Sequence, residues 1–152
     1  MKKLVIIIIA LFILNNCGYT PIYYSKQENF YIKEISQKNK NKLNSKIINN
    51  IKRFSNQDSE NVIQLEISSN KEIDTIAKDE KGNPSRFQMT VFLNINVLSK
   101  NNYEVNKTKT LTANFNYQNN SNKFSLKQYE KEIEDILINK ITEESIIYLS
   151  EL

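Results

Sequence analysis

The sequence predicts a two-layer α+β domain, in which a four-stranded, mostly antiparallel sheet is covered on one face by two helices in the order β-α-β-β-β-α. Two observations support this class. Three long segments alternate apolar and polar residues, as strands with one buried face do. Two other segments repeat apolar residues every three or four positions, which is typical of amphipathic helices. Short turns between the long strands favour antiparallel pairing.

The first strand and the first helix are predicted near the start of the domain. Phe30 and Ile32 indicate a short strand. A helix is predicted over residues 39–55, because its apolar residues are spaced by four, four and three and so share one face. These apolar residues are Leu43, Ile47, Ile51 and Phe54.

Three strands are predicted to follow. The second begins near Ile63 and extends towards Ile76, and a charged turn over residues 78–84 ends it. The third covers residues 87–97, where alternation is continuous except at Phe92. A hairpin turn at 99–102 leads into the fourth strand, which ends near residue 117.

A long helix is predicted from residue 125 to the end of the chain, with Ser125 as its N-cap. One face is predicted to be apolar and buried: Tyr129, Ile133, Ile136, Leu137, Ile141, Ile147 and Tyr148. The charged residues are predicted to face water: Glu130, Lys131, Glu132, Glu134 and Lys140.

The composition excludes several kinds of chemistry. The chain has no His, one Cys and two Gly. It therefore holds no Ser-His-Asp triad, no Cys-His pair, no internal disulfide and no Gly-rich phosphate loop. We predict that the protein is not an enzyme and that it needs neither a metal ion nor a cofactor. The balance of 21 basic and 17 acidic residues is only mildly positive.

The amino terminus has the features of a secretory signal peptide. Two lysines precede an unbroken apolar run over residues 4–14. As a helix this run would rise about 16 Å, too little for a hydrocarbon core of roughly 30 Å. We predict that residues 1–16 are the signal peptide. Cys17, the only cysteine, stands at the cleavage point and resembles the lipidated cysteine of a bacterial lipobox, although Asn16 replaces the usual small residue.

Lipidation of Cys17 would define the domain organisation and the location. Residues 17–28 would tether a single α+β domain, residues 29–152, to the membrane through the lipid. The lipobox resemblance implies the outer membrane, because Gly18 rather than Asp follows the cysteine. The domain would then face the periplasm, so we predict no nucleic-acid partner. The alternative is an ordinary signal peptide or anchor with an incidental cysteine.

The start of the mature chain resembles one family. The stretch over residues 17–23, Cys-Gly-Tyr-Thr-Pro-Ile-Tyr, resembles the C-G-[FY]-x-P-[LI]-Y start of alphaproteobacterial-type lipopolysaccharide-assembly lipoproteins, the LptE family. Arg86, the triplet at 115–117 and Phe124 resemble further features of this family. The resemblance implies an outer-membrane lipoprotein that assists assembly of the lipopolysaccharide-inserting β-barrel translocon, an LptD-like protein, plugs that barrel and binds lipopolysaccharide.

The uncovered face of the sheet is expected to be polar and largely uncharged. Its predicted residues are Gln88, Thr90, Asn94, Asn96, Asn114 and Asn116. Such a face suits a plug inside a barrel, because the interiors of bacterial barrels are polar. The alternative is an ordinary sheet that faces solvent, which the residues alone favour; the family resemblance favours the plug. The alternative function is therefore a generic periplasm-facing lipoprotein that binds an envelope protein or a ligand.

Three cations near the charged turn are the candidate lipopolysaccharide contacts. Lys78, Lys81 and Arg86 could bind phosphates, and Arg can do so through two hydrogen bonds. The alternative is a solvated turn with surface ion pairs. A second basic group precedes and enters the first helix, and a solvated helix surface explains it better: Lys38, Lys40, Lys42 and Lys46.

Overall fold

The computed structural model describes residues 29–99 and 104–152. It contains β1 (Tyr31–Gln37), α1 (Lys42–Lys52), β2 (Val62–Lys78), β3 (Pro84–Leu98), β4 (Val105–Gln118) and α2 (Lys123–Ser150). The predicted class and the order β-α-β-β-β-α are confirmed. The predicted signal peptide, the lipidated Cys17 and the tether fall in residues 1–28, outside the described residues. Most of the predicted turn at 99–102 also lies outside the described residues.

The four strands lie side by side in the order of the sequence. β1 pairs with β2 in parallel, and the β2–β3 and β3–β4 pairs are antiparallel. The parallel pair follows from α1, which carries the chain back across the sheet between β1 and β2. The register sets Leu65 opposite Val97, and Arg86 opposite Gln118. The mostly antiparallel sheet predicted from the short turns is therefore confirmed.

One face of the sheet holds the hydrophobic core. Met89, Val91, Leu93 and Ile95 of the central strand β3 are fully buried there, together with apolar residues of both helices. We call this the covered face, and the opposite side the open face. Phe92 lies on the open face and is half-buried, as the break in alternation predicts. Burial of these apolar side chains is the main stabilising contribution to the fold.

The first helix is shorter than predicted at both ends. It begins after Asn41, whose side-chain oxygen accepts a hydrogen bond from Asn44 N at 2.6 Å and so satisfies a free amide of the first turn. It ends at Lys52, and the next residues turn tightly: Phe54 N donates to Ile51 O at 3.1 Å. Phe54 still packs against the core, so its predicted burial did not require a helical residue.

The second helix begins earlier than predicted, and Ser125 is not its N-cap. Asn122 is the cap, because its side-chain oxygen accepts hydrogen bonds from Phe124 N at 3.0 Å and Ser125 N at 3.1 Å. Ser125 lies inside the first turn. Asn and Ser are both favourable N-cap residues, so the sequence alone does not distinguish Asn122 from Ser125 as the cap.

The predicted buried face of α2 is only partly correct. Ile133, Leu137 and Ile141 are buried, but Ile136 is 54% exposed and Ile147 is 44% exposed. Residues outside the predicted face are buried in their place: Leu126, Ile138, Thr142, Ser145, Ile146 and Leu149. The cause is α1, which packs beside the second half of α2 and turns the buried surface towards itself. A prediction of one apolar stripe along α2 therefore fails, because α2 packs against the sheet and against α1 in different directions.

Candidate functional site

The turn between β2 and β3 is an ordered hairpin tip. The Asp79 carboxylate accepts hydrogen bonds from Asn83 N at 2.8 Å and Lys81 N at 2.9 Å, and Asp79 N donates to Asn83 O at 2.8 Å. Gly82 has φ +82, a conformation that residues with a Cβ rarely adopt. The bonds from Asn83, followed by that from Lys81, hold the pKa of Asp79 below its usual value. Asp79 therefore fixes the shape of the tip.

The structure places the three candidate cations at the hairpin tip and just beside it. Lys78 ends β2 opposite Pro84, and Lys81 lies in the turn. Arg86 lies two residues along β3, opposite Ala77 of β2 on one side and Gln118 of β4 on the other. All three are exposed, and within the described ranges none of them forms an ion pair. They are therefore available to an anionic ligand.

Exposed apolar side chains lie just before the tip, and the sequence reading did not single them out. Ile73 is 42% exposed and Ile76 is 44% exposed, both near the end of β2. They precede Lys78 on the same strand. Residues 70–76 are all exposed, because among the described residues β1 pairs with β2 only as far as Ile67 and leaves this part of β2 as an outer edge. The tip thus combines cations with apolar surface.

Arg86 lines a pocket of about 680 Å³ beside the end of β4. Among the described residues that line the pocket, Arg86 is the only charged one, and the others are neutral polar or apolar. The apolar wall comes from β4 and the start of α2: Phe115, Tyr117, Leu126 and Tyr129. The amide groups come from the end of β4 and the loop after it: Asn116, Gln118, Asn119 and Asn120.

Contacts between rings hold the aromatic wall in place. The Tyr117 ring lies 5.5 Å from that of Phe87 and 6.2 Å from that of Tyr129, centroid to centroid. Its hydroxyl donates a hydrogen bond to Glu130 Oε1 at 2.8 Å. Glu130 was predicted only to face water, and it is instead partly buried in this contact. Burial, then the bond to Glu130, raises the pKa of Tyr117, which keeps its hydroxyl neutral.

Glu134 joins three elements, contrary to the prediction that it simply faces water. Its side chain is only 19% exposed, and its two oxygens contact Lys46 Nζ at 3.0 Å and Lys71 Nζ at 2.5 Å. Lys46 also contacts Asp135 Oδ1 at 2.9 Å. Burial opposes ionisation of Glu134, but the bonds from Lys71 and Lys46 outweigh it and lower its pKa. Hydrogen bonds to Asp135 and then Glu134 raise the pKa of Lys46.

This network ties α1 and β2 to α2 and gives Lys46 a structural partner. Lys46 belongs to the second basic group, so its role here favours the surface interpretation of that group over ligand binding. No local sequence pattern indicates this network, because its partners are separated by 88 and 63 residues.

The open face is polar, as predicted, and its side chains bond across strands. Gln88 Nε2 donates to Asn116 Oδ1 at 2.9 Å, and Thr110 Oγ1 donates to Asn94 Oδ1 at 2.7 Å. The β2 side of this face carries acidic residues that the sequence reading did not assign to it. By register these lie beside Asn96, Thr90 and Gln88 respectively: Glu66, Glu72 and Asp74. The open face is therefore neutral over β3 and β4 and acidic along β2.

Comparisons with known proteins establish the fold. No family model matches the chain, and no curated protein matches it. Among solved structures, it is similar to a minor lipoprotein from Acinetobacter baumannii, with a TM-score of 0.60 and 11% identity over 82% of this chain and 92% of that one. It is also similar to the rare lipoprotein B from Shewanella oneidensis, with a TM-score of 0.52 and 13% identity over 80% and 91% of the two chains.

A third similar structure is lipoprotein B from Nitrosomonas europaea, with a TM-score of 0.56 and 12% identity over 79% of this chain and 84% of that one. The chain thus has a fold that occurs in small bacterial lipoproteins. Within the described residues, neither helix is long and apolar enough to cross a membrane.

Proposed function

We propose that this protein is an outer-membrane lipoprotein, anchored through Cys17 with its domain in the periplasm. It assists assembly of the β-barrel that inserts lipopolysaccharide, plugs that barrel and binds lipopolysaccharide, without catalysing a reaction. The fold shared with bacterial lipoproteins and the resemblance of residues 17–23 support the lipoprotein part of the proposal.

The chemistry of the hairpin tip is the main support for the proposal that the protein binds lipopolysaccharide. Lipopolysaccharide has phosphates and acyl chains, so its binding surface needs cations beside apolar groups. Lys78 and Lys81 are exposed on an ordered turn, and Ile73 and Ile76 expose apolar surface on the strand that leads to it. Arg86 adds a guanidinium beside a pocket with aromatic walls. These residues offer both parts of the required chemistry.

The open face supports the plug part. Over β3 and β4 it presents neutral side chains that bond to one another, and such a surface can contact a polar barrel wall without burying unpaired charge. The alternative, a lipoprotein that binds another envelope protein or a ligand, is favoured by the size of the pocket beside Arg86.

Co-purification from the native envelope tests the proposal. The full chain, tagged at its carboxyl end and extracted in mild detergent, should retain an outer-membrane β-barrel. A Thr110→Glu, Thr112→Glu variant places charge on the open face and should lose most of the barrel. Lys127→Glu, on the exposed surface of α2, is the matched control and should retain it. Absence of any barrel from the wild-type sample would refute the translocon role.

Lipopolysaccharide binding is tested separately with the same full chain. Lys78→Ala, Lys81→Ala and Arg86→Ala should each weaken binding several-fold, since each removes a charge-assisted contact to phosphate. Lys52→Ala, an exposed lysine at the end of α1, should not. Equal affinity of all four variants would remove the three cations from the site.

A further inference from the structure

We propose that the free edge of β4, together with the pocket beside its end, binds an extended peptide segment of a partner protein whose carboxylate contacts Arg86. The peptide would add a strand to the sheet and place an apolar side chain in the pocket. This inference does not depend on the proposed function.

The register shows which backbone groups of β4 point away from the sheet. Asn119 N donates to Ser85 O at 2.9 Å, and these residues continue the register in which Arg86 lies opposite Gln118. In an antiparallel pair of strands, residue pairs whose backbones are hydrogen-bonded to each other alternate with pairs whose backbones are not. The odd-numbered residues of β4 therefore bond to β3. The even-numbered ones direct N–H and C=O outward: Thr108, Thr110, Thr112, Asn114, Asn116 and Gln118.

This outer edge carries few of the features that normally block strand addition. Among the described residues no strand pairs with it, and β4 contains neither Pro nor an acidic residue. Its two lysines, Lys107 and Lys109, lie near its start. Lys109 is held over the Tyr148 ring, with Nζ 5.8 Å from the centroid. The remaining length of the edge is open to a strand.

The pocket adjoins the end of this edge and indicates the chemistry of the peptide. Asn116 and Gln118, whose backbone groups point outward, also line the pocket. The exposed Tyr129 contributes to its apolar wall, which suits an apolar side chain of the peptide. Because Arg86 is the only charged lining residue, the complementary group is an anion. A phosphate would satisfy Arg86 but would leave the backbone edge unused, so a peptide carboxylate accounts for more of the site.

A peptide library tests the proposal. The full chain in detergent would be screened against random octapeptides displayed with free carboxyl ends. We expect enrichment of peptides with alternating apolar residues and a carboxylate. N-methylation of alternate peptide residues should then weaken binding about tenfold at one set of positions and leave it nearly unchanged at the other, since only one set can bond to β4. Equal effects at both sets would overturn strand addition.

Variants of the protein test the edge and the cation. Thr112→Pro removes one outward N–H without removing a bond to β3 and should weaken binding about tenfold, whereas Thr112→Ala keeps the N–H and should bind normally. Arg86→Gln should weaken binding of the acid and remove the preference for it over the amidated peptide. If amidation of the carboxyl end has no effect but replacement of an internal Asp or Glu by its amide weakens binding, the carboxylate that contacts Arg86 belongs to a peptide side chain.

The N-methyl series uses the wild-type chain, so it decides the question even if Thr112→Pro fails to fold. Failure to enrich any peptide would overturn the proposal. The proposal would also be overturned if the chain binds no peptide but binds lipopolysaccharide in a way that depends on Arg86.

Discussion

Glu134 should stabilise the domain by about 1 kcal/mol through its two lysines, and Glu134→Gln tests this. Glutamine keeps the size of the side chain but removes the charge. Exposed ion pairs contribute roughly 0.2–1 kcal/mol each. Lys46 and Lys71 are 40% and 37% exposed, so solvent screens both pairs and the lower half of that range applies. The loss of two such pairs gives the value of about 1 kcal/mol.

The effect should depend on pH in one direction. The pKa of Glu134 is lowered in the folded protein, so its stabilising contribution is present above the unfolded-state value, about 4.5, and is lost as the pH falls through the folded-state value. Wild type and Glu134→Gln should therefore differ at pH 7 and converge as the pH falls through the folded-state pKa of Glu134, which lies below 4.5. Urea unfolding followed by circular dichroism measures this difference.

Glu132→Gln is the matched control, because Glu132 is an exposed residue of the same helix. It should change the free energy of unfolding by less than about 0.5 kcal/mol. The reasoning is refuted if Glu134→Gln is no more harmful than Glu132→Gln at pH 7. It is also refuted if the loss caused by Glu134→Gln is the same at pH 7 and pH 3.

Four further substitutions test three local features by the same unfolding measurement. Asn122→Ala should cost about 1 kcal/mol and Ser125→Ala much less, because Asn122 caps α2; the reverse order would restore Ser125 as the cap. Tyr117→Phe should cost about 1 kcal/mol by removing the bond to Glu130, and no loss would show that water replaces that bond equally well. Gly82→Ala should cost about 1 kcal/mol because of its positive φ, although its Cβ would meet open space; a neutral result would mean that the turn changes conformation at no cost.

The sheet was the part of the fold that the sequence could predict best. Alternation in β3 reports burial directly, because each residue of a central strand faces either the core or the open face. The helix α2 was harder, since it packs against two partners in different directions along its length. Its period identifies a helix but not where α1 will lie, which is why Ile136 and Ile147 were placed on the wrong side.

The candidate site could be predicted only in its parts. The sequence identified Lys78, Lys81 and Arg86 as neighbours along the chain, and the register keeps Arg86 next to the tip, opposite Ala77. It did not indicate that Arg86 also lies opposite Gln118, at the end of β4. The pocket beside Arg86 depends on Tyr129, which comes from a helix more than forty residues later. No local pattern reports such a distance. The triplet at 115–117, Phe-Asn-Tyr, resembles a family feature, but the sequence does not indicate that it lines a pocket.

The charge distribution on the open face favours one direction of approach for an anionic ligand. Glu72 and Asp74 lie along β2, and their field opposes a phosphate on that side of the sheet. Over β3 and β4 the described residues of the same face are neutral apart from Arg86. A peptide carboxylate should therefore reach Arg86 from the β4 side, whereas a lipopolysaccharide phosphate can also approach from the hairpin tip, where Lys78 lies opposite Pro84. Asp74→Asn should then strengthen anion binding only slightly, whereas Asn116→Asp, beside Arg86, should weaken it strongly.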